Sequence, residues 1–392
     1  MIMDLKRSSD ATAYINGRIY TVDESNLHAE AFIVSSDGIF DIVGSNEDVL
    51  KVAKEQRLPI YDLKNDFVMP GIHDAHVHLL ASGYALLNEA DVGIETTLEN
   101  IVGKLHDGCC ACIYTNVYED WILANGFHLP DFDRTILDKE FPDRPVVIRA
   151  AAGHACYANT AALKRSGINP DHEPQTNAAC YVLREDGTLT GELHETAMDR
   201  LALAIPYPKV SHAKRCLNHA IKMLHAAGVT SIQEAGSNTT MLEAFRELDE
   251  EGSLKLNVAT HIVHTPQWLG WETTDSLHKL LNNAENYKTP HVDTRFMKII
   301  FDGVPLHPLY SHGELDEQGQ ANAAKLTLAN IAPVIEEFDR RGVMCKVHCT
   351  GEGSTLTTLD AIEAARKANP SGPRHEIAHC SGVHKGEWHD MH

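Results

Sequence analysis

The sequence predicts an α/β fold: a parallel sheet or barrel of strands alternating with helices, entered through a small β-rich module. Three observations carry this. Short apolar segments separated by two-residue turn signals fill residues 11–70. The run Val68-Met-Pro-Gly-Ile-His-Asp-Ala-His-Val-His78 then carries an apolar strand through a Pro-Gly turn into two histidines one residue apart. From about Val229, strand-like runs alternate with amphipathic helical stretches, the mark of a parallel α/β sheet.

In the first module the strands are Ala13-Tyr-Ile, Arg18-Ile-Tyr-Thr-Val, Ala31-Phe-Ile-Val and Phe40-Asp-Ile-Val. Asn16-Gly17 and Asp37-Gly38 read as two-residue hairpin turns, because such pairs accept positive φ. A helix over 46–56 follows. In the second half, strands are expected at Val229-Thr-Ser-Ile-Gln, Leu256-Asn-Val-Ala-Thr-His-Ile-Val, Arg295-Phe-Met-Lys-Ile-Ile-Phe, Val343-Met-Cys-Lys-Val-His and Glu376-Ile-Ala-His. Helices are expected over 212–227, 240–251, 331–341 and 355–368. Gly228 and Gly342 each stand just past a last helical turn, as C-cap glycines do. Between Leu79 and Tyr207 the alternation breaks. That stretch shows a strand, Pro145-Val-Val-Ile-Arg149, and a hairpin at Glu185-Asp-Gly187, and reads as an insertion after the first strand of the barrel. The expected boundaries are 1–67, 68–380 with the insertion at 79–207, and an irregular tail at 381–392.

A chain of 392 residues is long enough for one large α/β domain and a smaller one. Lysine and arginine number 34 against 55 aspartates and glutamates, so 34 − 55 = −21, which argues against nucleic acid or an anionic membrane as partner. No run of about 18 apolar residues exists to span a bilayer, and the first ten residues lack the apolar core of a signal peptide. The nine cysteines form no disulfide framework, and Cys109, Cys110 and Cys112 read as reduced thiols of a cytoplasmic protein. The expected partners are a small molecule and further copies of the chain, with no nucleic acid and no membrane.

Side chains at i and i+2 of a strand leave the same face, so His76 and His78 can grip one metal ion together. His73 is offset by an odd number and should point elsewhere. Later strands carry matching candidates: Lys298 inside an apolar strand, His348 ending the strand at Val343, and His379 ending the strand at Glu376. In a (β/α) barrel the C-terminal strand ends converge on one mouth, where these residues would meet. A lone histidine on a strand is more often a satisfied core residue than a ligand, but four histidines and one odd lysine at strand positions form a joint pattern. A buried lysine amine is costly to keep charged. Reaction with CO2 to a carbamate would turn it into an anion able to bridge two metals.

These residues resemble the metal-dependent amidohydrolase superfamily, in particular the branch that includes N-substituted formamide deformylases and exoenzyme regulatory proteins. The matching motifs are Met69-Pro-Gly-Ile-His-Asp-Ala-His-Val-His78, Gly228-Val-Thr-Ser-Ile-Gln-Glu-Ala-Gly236, Met297-Lys-Ile-Ile-Phe-Asp-Gly303, Val347-His-Cys-Thr-Gly351 and His375-Glu-Ile-Ala-His379. Gly153-His154, Asn159 to Leu163 and Gly191-Glu-Leu-His-Glu195 resemble the branch's inserted region. The resemblance implies a β-sandwich beside a TIM-like barrel with one or two divalent ions, usually zinc, at its mouth. His76 and His78 would hold one ion, His348 and His379 the second, with carboxylated Lys298 between them. The implied activity is hydrolysis of non-peptide carbon–nitrogen bonds by a metal-activated water. His154 and Glu195 are the implied substrate-binding residues.

The family barrel has eight strands, the last ending in an aspartate that binds metal and shuttles a proton. Here the sixth strand ends at His379, and the thirteen residues after it hold no strand pattern. The resemblance therefore covers about six of eight strands, and no residue, Asp390 included, takes the aspartate's place. Glu352 stands where the family usually has aspartate. The alternative reading is a truncated, catalytically impaired metal-binding or regulatory homologue.

Overall fold

The computed structural model describes residues 11–93, 95–111, 117–126, 128–150, 153–306 and 309–383. Among the described residues the chain divides into two compact units, parting between Ile72 and His73. The first holds β1 (Thr12–Ile15), β2 (Arg18–Tyr20), β3 (His28–Ala29), β4 (Ala31–Val34), β5 (Phe40–Gly44), α1 (Asn46–Gln56), β6 (Ile60–Asp62) and β7 (Phe67–Val68). One sheet runs β5-β4-β1-β6 and a smaller one β3-β2-β7. Ile19 and Ala29 of the smaller sheet share a core cluster with Phe32 of the larger.

Asp37-Gly38 turns the antiparallel β4–β5 hairpin, with Gly38 at φ +85. Asn16-Gly17 does not make the hairpin expected of it, because β1 and β2 lie in different sheets. Asn16 is left-handed at φ 57, and Gly17 donates its N–H to the Glu30 carbonyl at 2.8 Å, so the pair turns the chain out of one sheet into the other. α1 spans the residues its pattern predicted. Ser45 caps it by accepting the Asp48 N–H, and left-handed Arg57 ends it.

The second unit opens within β8 (Ile72–Val77), which leads into α2 (Leu79–Asn88). The stretch that broke the alternation then forms a sheet of its own. It contains β9 (Ala90–Gly93), α3 (Ile101–Ala111), β10 (Ile122–Gly126), α4 (Thr135–Glu140), β11 (Val146–Ala150), β12 (Ala155–Ala158), α5 (Thr160–Arg165), β13 (Ala179–Leu183), β14 (Leu189–Glu195) and α6 (Asp199–Ala204). Strand order is β13-β14-β12-β11-β10-β9. β9, β10 and β11 pair in parallel, and the remaining pairs are antiparallel.

The regular alternation follows: α7 (Val210–Ala226), β15 (Val229–Ser237), α8 (Thr239–Glu250), β16 (Asn257–Thr265), α9 (Gln267–Gly270), α10 (Thr274–Asn282), β17 (Val292–Ile300), α11 (Ala332–Arg340), β18 (Met344–Cys349), α12 (Glu352–Ala368) and β19 (Glu376–His379). Gly228 and Gly342 have φ of +82 and +72 beyond α7 and α11, the left-handed conformation their positions predicted. The sheet order is β19-β18-β17-β16-β15-β8, with every pair from β15 to β19 parallel. The sheet curls. β8 and β19 are its two edges, yet the rings of His76 and His379 lie 4.8 Å apart, and Lys346 of β18 donates to the Ala75 carbonyl of β8 at 2.7 Å.

Period-two alternation sorts each strand into two faces. Met297, Ile299, Cys345, Val347 and Cys349 join Leu280, Ile335 and Phe338 in the core between sheet and helices. The intervening Lys298, Lys346 and His348 are buried on the inner side of the curl. The six described cysteines are free of disulfides, and among the described residues no helix is long and apolar enough to cross a membrane.

Candidate active site

Strand ends place the predicted residues. His76 sits near the end of β8, and His78 immediately precedes the first helical residue of α2; their rings are 5.5 Å apart. His73 points away, with its Nδ1 bonded to the Ser231 hydroxyl at 2.8 Å. His379 is the last residue of β19, and its ring lies 4.8 Å from that of His76 and 4.5 Å from that of His348. It is held at φ 76, and Cys380 at φ 46, while the Cys380 N–H donates to the Cys349 carbonyl. Left-handed backbone at two successive non-glycine residues costs free energy, and such strain gathers at functional sites.

Lys298 is 1 % exposed, and among the described residues no hydrogen bond or ion pair engages its amine. Its register partner across β17 and β18 is Lys346. Burial, reinforced by the neighbouring Lys346 charge, brings the Lys298 amine down to about 7. Lys346 itself is tied by the Ala75 carbonyl, by the Gln233 side chain, and by the Glu376 carboxylate at 3.1 Å.

Burial and the nearby Lys298 lower the imidazoles of His76 to about 2, His78 to about 3 and His379 to about 4. His348 falls to about 3, chiefly through burial and against its bond to Asp302. All four rings are therefore neutral near pH 7, the state in which an imidazole nitrogen can donate its lone pair to a metal. Among the described residues, however, no group of three or more His, Cys, Asp or Glu side chains is placed so that it could hold a metal ion as it stands.

Asp302, just beyond β17, was not singled out by sequence reasoning. Its fully buried carboxylate meets His348 Nδ1 at 3.1 Å and accepts from the N–H groups of Gly313, Thr350 and Gly351 and the Ser354 hydroxyl. Burial pushes the carboxyl up, but these bonds outweigh it and hold Asp302 below its ordinary value. An ionised Asp302 accepts from Nδ1–H of His348 and leaves Nε2 as the ring's lone-pair donor. The signal was present as an acidic residue in Phe301-Asp-Gly303, at the end of the strand that carries Lys298. Glu234 was missed as well. It accepts the Leu79 N–H at 2.6 Å and lies 4.0 Å from His78 Nδ1, and burial raises its carboxyl to about 8.

His154 and Glu195 come together in the inserted sheet. His154 Nδ1 is 2.9 Å from Glu195 Oε2, and Ser311 donates its hydroxyl to Glu195 Oε1 at 2.8 Å. The His154 ring lies 4.8 Å from that of His348 and 5.5 Å from that of Trp268. Glu195 is buried and has a positive φ of 51. A Cβ on Gly303 would come within 2.4 Å of its carboxylate, so glycine is required there. His76, His78, Lys298, His348, His379 and His154 all line one cavity of about 660 Å³; Glu195 stands behind His154. Asp390, Cys112 and the side chains of Cys109 and Cys110 lie outside the described residues.

Three comparisons bear on this arrangement. The exoenzymes regulatory protein AepA of Pectobacterium carotovorum subsp. carotovorum is 26% identical over 391 residues, covering 94% of this chain and 79% of that protein. The N-substituted formamide deformylase of Arthrobacter pascens is 25% identical over 412 residues, covering 96% of this chain and 70% of its own. An uncharacterized metal-dependent hydrolase from Pyrococcus horikoshii OT3 superposes with a TM-score of 0.70 at 21% identity, over 97% of this chain and 72% of that one, a likeness of fold. The Amidohydrolase family matches residues 60–391. A match of that span takes in every strand of the curled sheet together with the inserted sheet, and this chain belongs to the Amidohydrolase family.

Proposed function

We propose that this chain hydrolyses a carbon–nitrogen bond in a small, non-peptide amide. The observation that carries the reading is the ring of four neutral imidazoles, His76, His78, His348 and His379, around the partnerless amine of Lys298. By chemical type these donors suit a divalent ion, imidazoles with a carboxylate suiting zinc, and the side chains would have to draw together around it. When bound, such an ion polarises the carbonyl and lowers the pKa of water.

The chain's own residues supply the rest. With its amine near 7, Lys298 is substantially uncharged at neutral pH. The free amine can attack the carbon of CO2, lose one proton to water and become a carbamate anion. Asp302 fixes the His348 tautomer, and Glu195 does the same for His154 by accepting from Nδ1–H. His154 then presents Nε2 to the cavity as a hydrogen-bonding group for the substrate. The inserted sheet beside the mouth limits the cavity to small molecules, in keeping with its volume of about 660 Å³. The curled sheet is read as six strands of a TIM-like barrel, and the two small sheets of the first unit as part of a β-sandwich. The name of the Arthrobacter relative makes N-substituted formamides the first compounds to assay.

Metal analysis of purified protein tests the site. His76→Ala and His348→Ala should each cut bound metal to less than about half. Asp302→Asn should weaken metal binding by about 10- to 100-fold, and Lys298→Ala should lower the ion count. Full occupancy in both histidine variants would refute the ligand set. Stoichiometric metal with no turnover of any formamide or simple amide would sink the hydrolase reading and leave a metal-binding homologue.

A further inference from the structure

Residues unused by the chemistry above line another wall of the same cavity. Alternate residues of β10 and β11 face two different cores. Ile122, Ala124, Val146 and Ile148 pack toward α3 and α4, whereas Leu123 and Val147 pack toward the cavity side. On that second face, the next register pair is Asn125 and Arg149, both of which line the cavity. A polar pair thus continues an apolar face just where the two strands end.

The pair is built in. Glu89, whose side chain is 0 % exposed, accepts from the Asn125 amide and lies 3.1 Å from Arg149 Nη2. The Arg149 guanidinium stacks 4.4 Å above the Trp271 ring, and Tyr207 abuts that indole edge-on at 5.0 Å. Trp271 is held left-handed at φ 53, a conformation unfavourable for a bulky residue. Trp268, one helical turn earlier, contacts the His154 ring, so this wall joins the reacting end directly. Among the described residues, Glu89 is the one ion-pair partner of Arg149, met at Nη2, and that buried nitrogen forms no hydrogen bond. Both side chains are held by Glu89 without a ligand, and such preorganisation lowers the entropic cost of recognition.

We propose that Arg149, Asn125 and Trp271 form a recognition subsite for a neutral, planar hydrogen-bond acceptor carried on an aromatic part of the substrate. Resting on the amide-hydrolase reading, this names the substrate class as uncharged aryl amides bearing a second carbonyl-type group. Charge decides between a neutral and an anionic acceptor. Glu89 already balances the guanidinium, so the subsite offers directed donors without net positive charge. A carboxylate would add an uncompensated charge beside buried Glu89, in a protein whose formal charge is −21. Apolar Met198, Leu201 and Ile205 line the same cavity and suit an aryl body.

The test is calorimetric titration of metal-stripped and metal-loaded protein with three probes of similar shape. These are 4-(formamidomethyl)benzamide, 4-(formamidomethyl)benzoate and N-(4-methylbenzyl)formamide. Wild-type protein should bind the benzamide about ten-fold more tightly than either of the others. Arg149→Met should bring all three within about two-fold while keeping the affinity for the methyl probe. Because that change leaves Glu89 unpaired, Glu89→Gln combined with Arg149→Met is measured alongside, with thermal melts to show that each variant folds. Equal affinities, preference for the benzoate, or a preference that survives in a folded variant overturns the proposal. Discrimination without hydrolysis would keep the subsite and reject the hydrolase reading; hydrolysis without discrimination would do the reverse.

Discussion

His212 shows how a single buried side chain ties stability to pH. Arg215 donates to its Nδ1 at 2.8 Å, which leaves Nε2–H to meet the Asn88 carbonyl oxygen at 2.9 Å. Burial, with the Arg215 charge, lowers the ring to about 4, whereas in the unfolded chain it titrates near 6.5. Between these values the unfolded state holds a proton that the folded state refuses. Stability therefore rises with pH through this window and is lost as pH falls from about 6.5 to about 4. The depressed histidines of the site act with the same sign. Urea unfolding at several pH values in this window should show a shallower slope for His212→Gln than for wild type; an unchanged slope would contradict the assignment. At this scale the sequence showed His76, His78, Lys298, His348 and His379, in or just after their strands, because position in a strand fixes direction. It did not show Asp302, Glu234 or Lys346. A carboxylate or amine that supports another residue has no spacing rule of its own, and its partner lies 46 residues away for Asp302 and 271 for Lys346.

Elements of the alternating half were legible because apolar periodicity and capping residues agree there. α7, α8, α11 and α12 lie within a few residues of their expected bounds. In the inserted region only β11 and the β13–β14 hairpin were anticipated. Ala90-Asp-Val-Gly93 and Ile122-Leu-Ala-Asn-Gly126 are short and rich in residues poorly suited to strands, so β9 and β10 owe their form to neighbours in the sheet. Asn16-Gly17 teaches a related lesson, since the turn chemistry was right and the pairing was not. Packing between helices sets its own local rule at Gly83. A Cβ there would come within 2.7 Å of the Cys216 carbonyl, where α2 packs on α7. Alanine favours an isolated helix by about 1 kcal/mol over glycine, yet Gly83→Ala should destabilise the protein by about 1–3 kcal/mol. A urea midpoint equal to or above that of wild type would count against this contact.

Across the whole molecule, the curl of the six-stranded sheet makes the site. β8 and β19 are opposite edges of the hydrogen-bonded order, and curling brings His76 against His379. Lys346 fastens that closure by bonding from β18 to the Ala75 carbonyl of β8 and the Gln233 side chain of β15, beside Glu376 of β19. Lys346→Met should cost about 2 kcal/mol, through buried acceptors left without a donor. It should also weaken metal binding, because Ala75 adjoins His76. Chemical denaturation and metal titration on the same variant check both effects, and unchanged values in both would show that the curl does not depend on this lysine.

The sequence by itself determined the alternation of strands and helices, the strand positions of His76, Lys298, His348 and His379, and the family they resemble. These follow from local periodicity and from spacing within one segment. Only the tertiary structure decided that the two sheet edges meet, that Lys346 spans them, that Asp302 orients His348, and that Arg149 and Asn125 stand together over Glu89. Those contacts join segments far apart in sequence, and they depend on twist, register and burial, which no stretch of residues encodes alone.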